Sequence, residues 1–154
     1  YQEKCREEIR EIMEDRKNVQ FFDVAEMTYL TMCMKESMRL YAPVPFIGRK
    51  IKNKINVHRP NGASDVTLDA DVTVIPHLFT LHRNPEIWDE PEVFDPERFN
   101  VKNSAKMHPY AFVPFSAGPR VCMGQNFAMI EMKLIVSKLL LNFEFWVDGE
   151  TPEP

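Results

Sequence analysis

Cys122 is the residue of this sequence whose position is best suited to chemistry, because it lies in a turn directly before a long apolar segment. Gly118 and Gly124 lie four residues before it and two residues after it. Glycines so placed predict backbone with positive φ, or the close approach of a bulky group. If a helix begins after the turn, its free N–H groups and the positive end of its dipole favour a thiolate at Cys122. Arg120 adds a positive charge, so the turn predicts a site for an anionic sulfur.

Two other interpretations of Cys122 stay open from its position alone. A single cysteine at a helix start can be a small buried hydrophobe. It can also be the nucleophile of a thiol-dependent hydrolase or redox enzyme, which needs a histidine directed at the sulfur, and His108 is the nearest in sequence. Cys5 and Cys33 form no C-x-x-C pair, which indicates a reducing environment or one special thiol. The four histidines lack metal-ligand spacing and are interpreted as structural or exposed.

The composition limits the function classes. The 154 residues are 44% hydrophobic and 27% charged, which is enough to bury the core of one globular unit. A net charge of -4 gives no case for nucleic-acid binding, which usually needs an excess of Lys and Arg. No apolar run reaches the roughly 18 residues of a membrane span, and the chain begins in a charged helical pattern without a signal peptide. By length alone residues 1–154 could be one globular unit or a piece of something larger; because the sequence starts without a methionine we expect a fragment, with no second domain.

Three long helices are predicted by apolar residues that recur every three or four positions. The first runs from Gln2 to about Met13. The second begins at a capping box formed by Asp23 and Glu26 and ends before Pro43. The third covers residues 123–141, and its apolar side chains fill two adjacent stripes, a width that indicates burial within a larger body. The apolar positions of the second helix are Met27, Leu30, Met34, Met38 and Tyr41.

Between the second and third helices the pattern becomes extended and then irregular. Two to four short strands are expected in residues 44–76, with a turn at Asn61-Gly62, and a brief helix in residues 77–83. Six of the twelve prolines fall between Pro85 and Pro119, which predicts an irregular coil that side chains must hold in place. The strand candidates are Phe46-Ile47, Ile55–Val57, Val66–Leu68 and residues 72–75, and a further strand is expected at residues 143–147.

Five residues of the cysteine turn match a known signature: Phe115, Gly118, Arg120, Cys122 and Gly124 follow the pattern F-x-x-G-x-R-x-C-x-G. This pattern resembles the haem-binding signature of the cytochrome P-450 superfamily. The resemblance implies that the Cys122 thiolate is the axial ligand of the haem iron, where its electron donation favours O–O cleavage. It also implies that Phe115 packs beside the sulfur and haem, that both glycines permit the turn, and that Arg120 pairs with a haem propionate.

Two further segments match motifs of the same superfamily. Glu36 and Arg39 form an E-x-x-R pair on a helix face that also carries apolar residues, so we expect a buried ion pair that needs further partners. Residues 94–99 resemble the P-E-R-F segment, whose arginine is Arg98 here. The resemblance implies a network of Glu36, Arg39 and Arg98 that pins the coil and holds the cysteine turn, in a structural rather than catalytic role.

Longer stretches are similar to family four of the superfamily, the fatty-acid omega-hydroxylase branch. They are residues 39–45, 82–85 and 108–115, and they depart from that branch at Ala42, where proline is usual. Arg49 matches a second propionate-binding arginine, and a solvent-facing strand charge is the alternative interpretation. The resemblance implies that Phe46 and Ile47 line the substrate cavity, while core packing explains their apolar character equally well.

The resemblance implies a mainly α fold with a small β component, the C-terminal portion of the cytochrome P-450 fold: E-x-x-R helix, small sheet, irregular meander, cysteine loop and long final helix. It implies haem b, and hydroxylation of a lipid-like or fatty-acid substrate with dioxygen and electrons that NADPH supplies through a flavoprotein reductase. It places the parent enzyme at the endoplasmic reticulum membrane, on the cytosolic face, through an anchor absent here.

The A-G-x-[DE]-T-T pattern of the oxygen-activating helix does not occur in residues 1–154, so we expect the fragment alone to be inactive. A truncated, non-catalytic gene product is the alternative.

Overall fold

The computed structural model describes residues 1–59, 62–146 and 149, and there the chain is mainly helical. The α-helices are α1 (Gln2–Met13), α2 (Thr28–Leu40), α3 (Leu78–Leu81), α4 (Val101–Ser104) and α5 (Gln125–Asn142). The strands are β1 (Arg49–Lys50), β2 (Ile55–Val57), β3 (Val66–Leu68) and β4 (Thr73–Val74). Short 3-10 helices cover Phe21–Ala25, Pro96–Phe99 and Gly118–Arg120. The predicted class, mainly α with a small β component, is confirmed.

The predicted bounds of α1 are confirmed, whereas the predicted start of α2 is wrong. Asp23 does close a capping box, but with Gln20 on the 3-10 helix rather than with Glu26 on α2. The α-helix starts at Thr28 and makes no capping bond through a side chain of its own N-cap residue. Tyr41 lies beyond the end of α2 and is exposed, so it does not belong to the buried face.

The first turn of α2 is capped by a side chain of α1. The Glu8 carboxylate accepts hydrogen bonds from the backbone N–H of Tyr29 at 2.6 Å and of Leu30 at 2.9 Å, and from the Thr28 hydroxyl at 2.9 Å. These are groups that a helix leaves without intrahelical partners. The cap comes from 20 residues upstream, so the local sequence around residue 28 carries no sign of it.

The extended region forms two separate antiparallel pairs of strands. β1 pairs with β4, placing Arg49 opposite Val74, and β2 pairs with β3, placing Ile55 opposite Leu68. The strand predicted at Phe46-Ile47 is wrong, since Phe46 makes only an isolated bridge with His77. The strand predicted for residues 143–147 is wrong for residues 143–146, which have no regular structure, and Val147 lies outside the described residues. Asn61 of the predicted turn also lies outside them.

Two hydrophobic clusters support the helices. The larger joins α1, α2 and α5 and includes Ile9, Leu30 and Leu140. The smaller joins the coil that follows α3 to α2, with Trp88, Phe99 and Ala111 at its centre and Met32 of α2 packed against it. The coil itself contains only short helical turns, as its proline content predicts.

The apolar stripes of α5 are largely uncovered. Ser137 and Leu140 are its buried residues, whereas Phe127 is 71% exposed and Ile135 is 51% exposed. These exposed side chains lie on the stripes that we expect to be buried within a larger body. None of the helices among the described residues has both the length and the apolar character needed to cross a membrane.

Candidate functional site

The cysteine turn is held by its own backbone. The Cys122 N–H donates to the carbonyl oxygen of Phe115 at 2.9 Å, and the Val121 N–H donates to the carbonyl oxygen of Gly118 at 3.1 Å. Gly118 has a φ of 69°, in the left-handed region that glycine adopts without strain, as predicted. Ser116 has a φ of 65°, which the sequence did not indicate. The turn is therefore a tight loop of eight residues, 115–122, closed by the hydrogen bond between Cys122 and Phe115.

Gly124 has a different role from Gly118. Its φ is -84°, so the prediction of a positive φ does not hold there. A Cβ atom added at Gly124 would lie 3.9 Å from the Cys122 sulfur, in ordinary van der Waals contact with it. The adjoining helix α5 starts at Gln125, whose N–H donates to the carbonyl oxygen of Cys122 at 3.3 Å. The cysteine thus lies immediately before the helix, as the sequence predicts.

The Cys122 thiol is exposed, which excludes the interpretation that it is a small buried hydrophobe within the described residues. Its sequence neighbours Val121 and Met123 are exposed as well, and so is Phe127 in the first turn of α5. The guanidinium of Arg120 is exposed and forms no ion pair with any residue that the structure describes. A soft sulfur donor, an apolar surface and a nearby cation together suit an iron porphyrin, which offers iron, a flat apolar ring and carboxylates.

The other side chains predicted to line the haem or substrate lie around β1. Arg49 is half-buried, and its Nη1 donates to the carbonyl oxygen of Gly48 at 2.9 Å. Phe46 is exposed and stacks on the His77 ring with 6.2 Å between ring centroids. Ile47 is half-buried and is held through its backbone N–H by the carbonyl oxygen of Pro76. Their roles toward haem and substrate stay predictions.

The E-x-x-R pair is completely buried. The Glu36 carboxylate accepts from Arg39 Nε at 2.7 Å and from Arg39 Nη2 at 2.8 Å, a bidentate ion pair within one turn of α2. The same carboxylate accepts from the Asp95 backbone N–H at 2.9 Å, and Arg98 Nε lies 3.4 Å from it. The structure thus brings Glu36, Arg39 and Arg98 together and joins α2 to the P-E-R-F segment.

The remaining N–H groups of Arg39 reach the coil. Its Nη1 donates to the carbonyl oxygens of His82 at 2.8 Å and Pro91 at 2.6 Å, and its Nη2 donates to that of Val93 at 3.1 Å. Arg98 Nη2 donates to the carbonyl oxygen of Glu90 at 2.9 Å. These are backbone acceptors of a proline-rich segment that has few regular partners of its own, so the two arginines replace a hydrogen-bond ladder.

One contact of the site was missed from the sequence. His82 was interpreted as structural or exposed, and the structure supports the structural alternative: His82 is completely buried, and its Nε2 accepts a hydrogen bond from the Val113 backbone N–H at 3.1 Å. Val113 leads directly into the cysteine turn. The one available signal was its place in the stretch of residues 82–85 that resembles family four.

The histidine nearest to Cys122 in sequence is engaged elsewhere. His108 Nδ1 accepts from the Tyr110 backbone N–H at 3.2 Å, and the two rings pack with 5.9 Å between centroids. No hydrogen bond joins any histidine to Cys122 among residues 1–59, 62–146 and 149. The described geometry therefore supplies no general base for a thiol nucleophile.

The matches to known proteins extend over all or nearly all of the chain. The family model described as Cytochrome P450 matches residues 1–154. The chain is 49% identical to human Cytochrome P450 4B1 over 148 residues, which is 96% of this chain and 28% of that protein. It is 46% identical to human Cytochrome P450 4Z1 over 152 residues, 99% of this chain and 29% of the relative. It is 44% identical to human Cytochrome P450 4F12 over 154 residues, again 99% of this chain and 28% of the relative. The chain therefore spans less than a third of the length of these relatives.

Proposed function

Because the chain belongs to the cytochrome P450 family, we propose that residues 1–154 are the C-terminal, haem-binding part of a longer haem-thiolate monooxygenase. The relatives that it matches carry the family-four designation in their names, in agreement with the family-four stretches of the sequence. The observation that carries this proposal is an exposed cysteine thiol, held by a closed turn in an apolar surface directly before α5.

Each residue of the site has a defined task in this proposal. Cys122 supplies the sulfur that ligates iron, and Gly124 places no side-chain atom in contact with that sulfur. Phe115 fixes the turn through its carbonyl oxygen and packs beside the sulfur and the porphyrin. Arg120 and Arg49 pair with the propionates. The buried ion pairs of Glu36 with Arg39 and Arg98 hold the coil that carries the turn.

When bound, a haem would supply the dioxygen chemistry, in which one oxygen atom enters an unactivated C–H bond and the other is reduced to water with the electrons from NADPH. The substrate that we propose is a fatty acid or a similar lipid, with Phe46 and Ile47 lining its cavity. NADPH provides the electrons through a flavoprotein reductase. The parent enzyme works at the endoplasmic reticulum membrane, on the cytosolic face. The acid–alcohol pair that relays protons to dioxygen is supplied by a part of the protein outside residues 1–154, so these residues alone are inactive.

Product analysis with labelled oxygen tests this function. The longer protein that contains this chain is combined with the reductase, NADPH, a fatty acid and isotopically labelled dioxygen. We expect a hydroxylated fatty acid that carries one labelled oxygen atom, and no product from the Cys122→Ala variant. The Cys33→Ala variant is the matched control, because Cys33 packs against the core of α1, α2 and α5 instead. A product whose oxygen comes from water, or full activity of Cys122→Ala, would contradict the proposal.

A further inference from the structure

His82 is joined to the buried ion pair through its backbone and to the cysteine turn through its side chain. Its carbonyl oxygen accepts a hydrogen bond from Arg39 Nη1 at 2.8 Å. Its ring nitrogen Nε2 accepts from the Val113 backbone N–H at 3.1 Å, across 31 residues of sequence. His82 is completely buried, and its bond to Arg39 is buried with it, whereas Val113 is half-buried.

The hydrogen bond to Val113 requires one protonation state of the ring. Nε2 can accept from a backbone N–H only if it carries no proton, so the imidazole is neutral with its proton on Nδ1. Burial, and then the charges of Arg39 and Arg83, lower the pKa of His82 to about 4, which keeps this form at neutral pH. The ring also packs against Phe112, with 5.3 Å between centroids. The Val113 N–H and the Phe112 ring therefore fix the position of the acceptor, while the protonated Nδ1 has no hydrogen-bond partner among the described residues.

Val113 is the first link of a short chain of backbone bonds that ends at Cys122. The carbonyl oxygen of Val113 accepts from the Ser116 N–H at 3.0 Å, which closes the turn where Ser116 has its positive φ. Phe115, between these two residues, accepts from the Cys122 N–H at 2.9 Å. A displacement of Val113 would thus be transmitted to the backbone at the cysteine.

We propose that His82 is a positioning residue for the Cys122 thiolate. It anchors the entry to the cysteine turn at Val113, and through the Arg39 bond to its carbonyl it ties that entry to the buried ion pair. This inference rests on the proposed function, in which Cys122 ligates the haem iron. Loss of the Nε2 acceptor leaves the half-buried Val113 N–H without this partner and loosens the turn that presents the sulfur.

Two variants separate the acceptor of His82 from the volume of its ring. His82→Phe keeps an aromatic ring but has no acceptor, whereas His82→Gln places an amide oxygen at a reach similar to that of Nε2. The readout is the red-shifted Soret band of the reduced carbon-monoxide complex of the haem-loaded longer protein, followed over time, because that band depends on thiolate ligation. We expect His82→Phe to lose the band about tenfold faster than wild type. The rate of loss for His82→Gln should stay within about twofold of the wild-type rate.

The controls separate failure of this inference from failure of the proposed function. His58→Phe replaces an exposed histidine that pairs with Asp65, and it should decay at the wild-type rate. Cys122→Ala should lack the band altogether; if it keeps the band, the proposed function fails. Two outcomes would overturn the role of His82 alone, provided that Cys122→Ala lacks the band. In the first, the band of His82→Phe decays at the wild-type rate. In the second, the band of His82→Gln decays as fast as that of His82→Phe.

A third variant covers the case in which His82→Phe cannot be loaded with haem. His82→Asn has the same amide as His82→Gln on a side chain one methylene shorter, which withdraws the oxygen from Val113. We expect His82→Asn to lose the band about tenfold faster than His82→Gln. Equal decay rates for the two amide variants would overturn the positioning role.

Discussion

Arg39 directs all five of its N–H groups at partners inside the protein, two at the Glu36 carboxylate and three at carbonyl oxygens of the coil. This explains why Glu36 and Arg39 can both be completely buried. Their opposite charges lie in contact, and every N–H group of Arg39 has an acceptor. The i,i+3 spacing of the pair is visible in the sequence. The carbonyl oxygens that Arg39 contacts cannot be identified from the sequence, because they depend on the conformation of the coil in residues 82–93.

Removal of the Glu36 charge tests the importance of this compensation. Glu36→Gln leaves the guanidinium groups of Arg39 and Arg98 beside a neutral amide in a buried site, so we expect the free energy of unfolding to fall by about 3–5 kcal/mol. The measurement is urea unfolding of the longer protein. Glu97→Gln, which alters an exposed ion pair with Lys4, should change the free energy of unfolding by less than about 1 kcal/mol. Equal effects of the two substitutions would show that the buried pair has no special role.

The pKa of His82 gives stability a dependence on acid pH. Burial is the main cause and the charges of Arg39 and Arg83 add to it, so the folded protein takes up the proton only near pH about 4. The unfolded chain takes it up near pH about 6.5. Between these values the unfolded state binds more protons, and the free energy of unfolding therefore falls as pH falls, by at most about 3 kcal/mol, and levels off below the lower value.

His82→Gln isolates this contribution because glutamine does not titrate. Urea unfolding at about pH 7 and about pH 4.5 should show a smaller loss of stability on acidification for His82→Gln than for wild type. His58→Gln removes an exposed histidine instead and should behave like wild type. The same loss in wild type and His82→Gln would mean that other groups cause the acid sensitivity.

The long helices show which parts of an element its own sequence determines. The bounds of α1, and those of α5 within two residues, follow from apolar residues that recur every three or four positions. The start of α2 does not, because its cap is Glu8 on another helix. The same limit applies to Ser116, whose positive φ is imposed by closure of the cysteine turn and not by its residue type.

Deletion of the Glu8 carboxylate should therefore destabilise α2 from a distance. Glu8→Ala leaves the N–H groups of Tyr29 and Leu30 without their acceptor, and we expect a loss of about 1–2 kcal/mol in the free energy of unfolding. Glu7→Ala removes an exposed carboxylate from the same helix and should change it by less than about 0.5 kcal/mol. Urea unfolding of both variants measures these two changes in the free energy of unfolding. A loss with Glu7→Ala as large as with Glu8→Ala would point to the charge of α1 instead of the cap.

At the scale of the whole molecule, α5 presents more apolar surface than residues 1–154 cover. Its two stripes were predicted to be buried within a larger body, and the structure leaves Phe127, Ile135 and Leu139 exposed. The relatives are more than three times as long as this chain, so the proposed longer protein has ample sequence to cover them. Sequence periodicity identifies such a face, but it does not identify what packs on it.

A truncation on the outer stripe of α5 measures whether it is covered. In the longer protein we expect Ile135→Ala to lower the free energy of unfolding by about 2–5 kcal/mol, the range for a buried isoleucine. Glu11→Ala removes an exposed side chain of α1, away from this stripe, and should change the free energy of unfolding by less than about 0.5 kcal/mol. If Ile135→Ala has an effect as small as that of Glu11→Ala, this stripe faces solvent in the longer protein too.

The most direct test of the proposed site is the position of the Soret band of the reduced carbon-monoxide complex in the longer protein. Wild type and the Cys33→Ala control should both show the red-shifted band that reports a thiolate ligand to the haem iron. The Cys122→Ala variant should lack that band even where it retains haem. A red-shifted band that persists in Cys122→Ala would show that another group holds the iron and would contradict the assignment of Cys122.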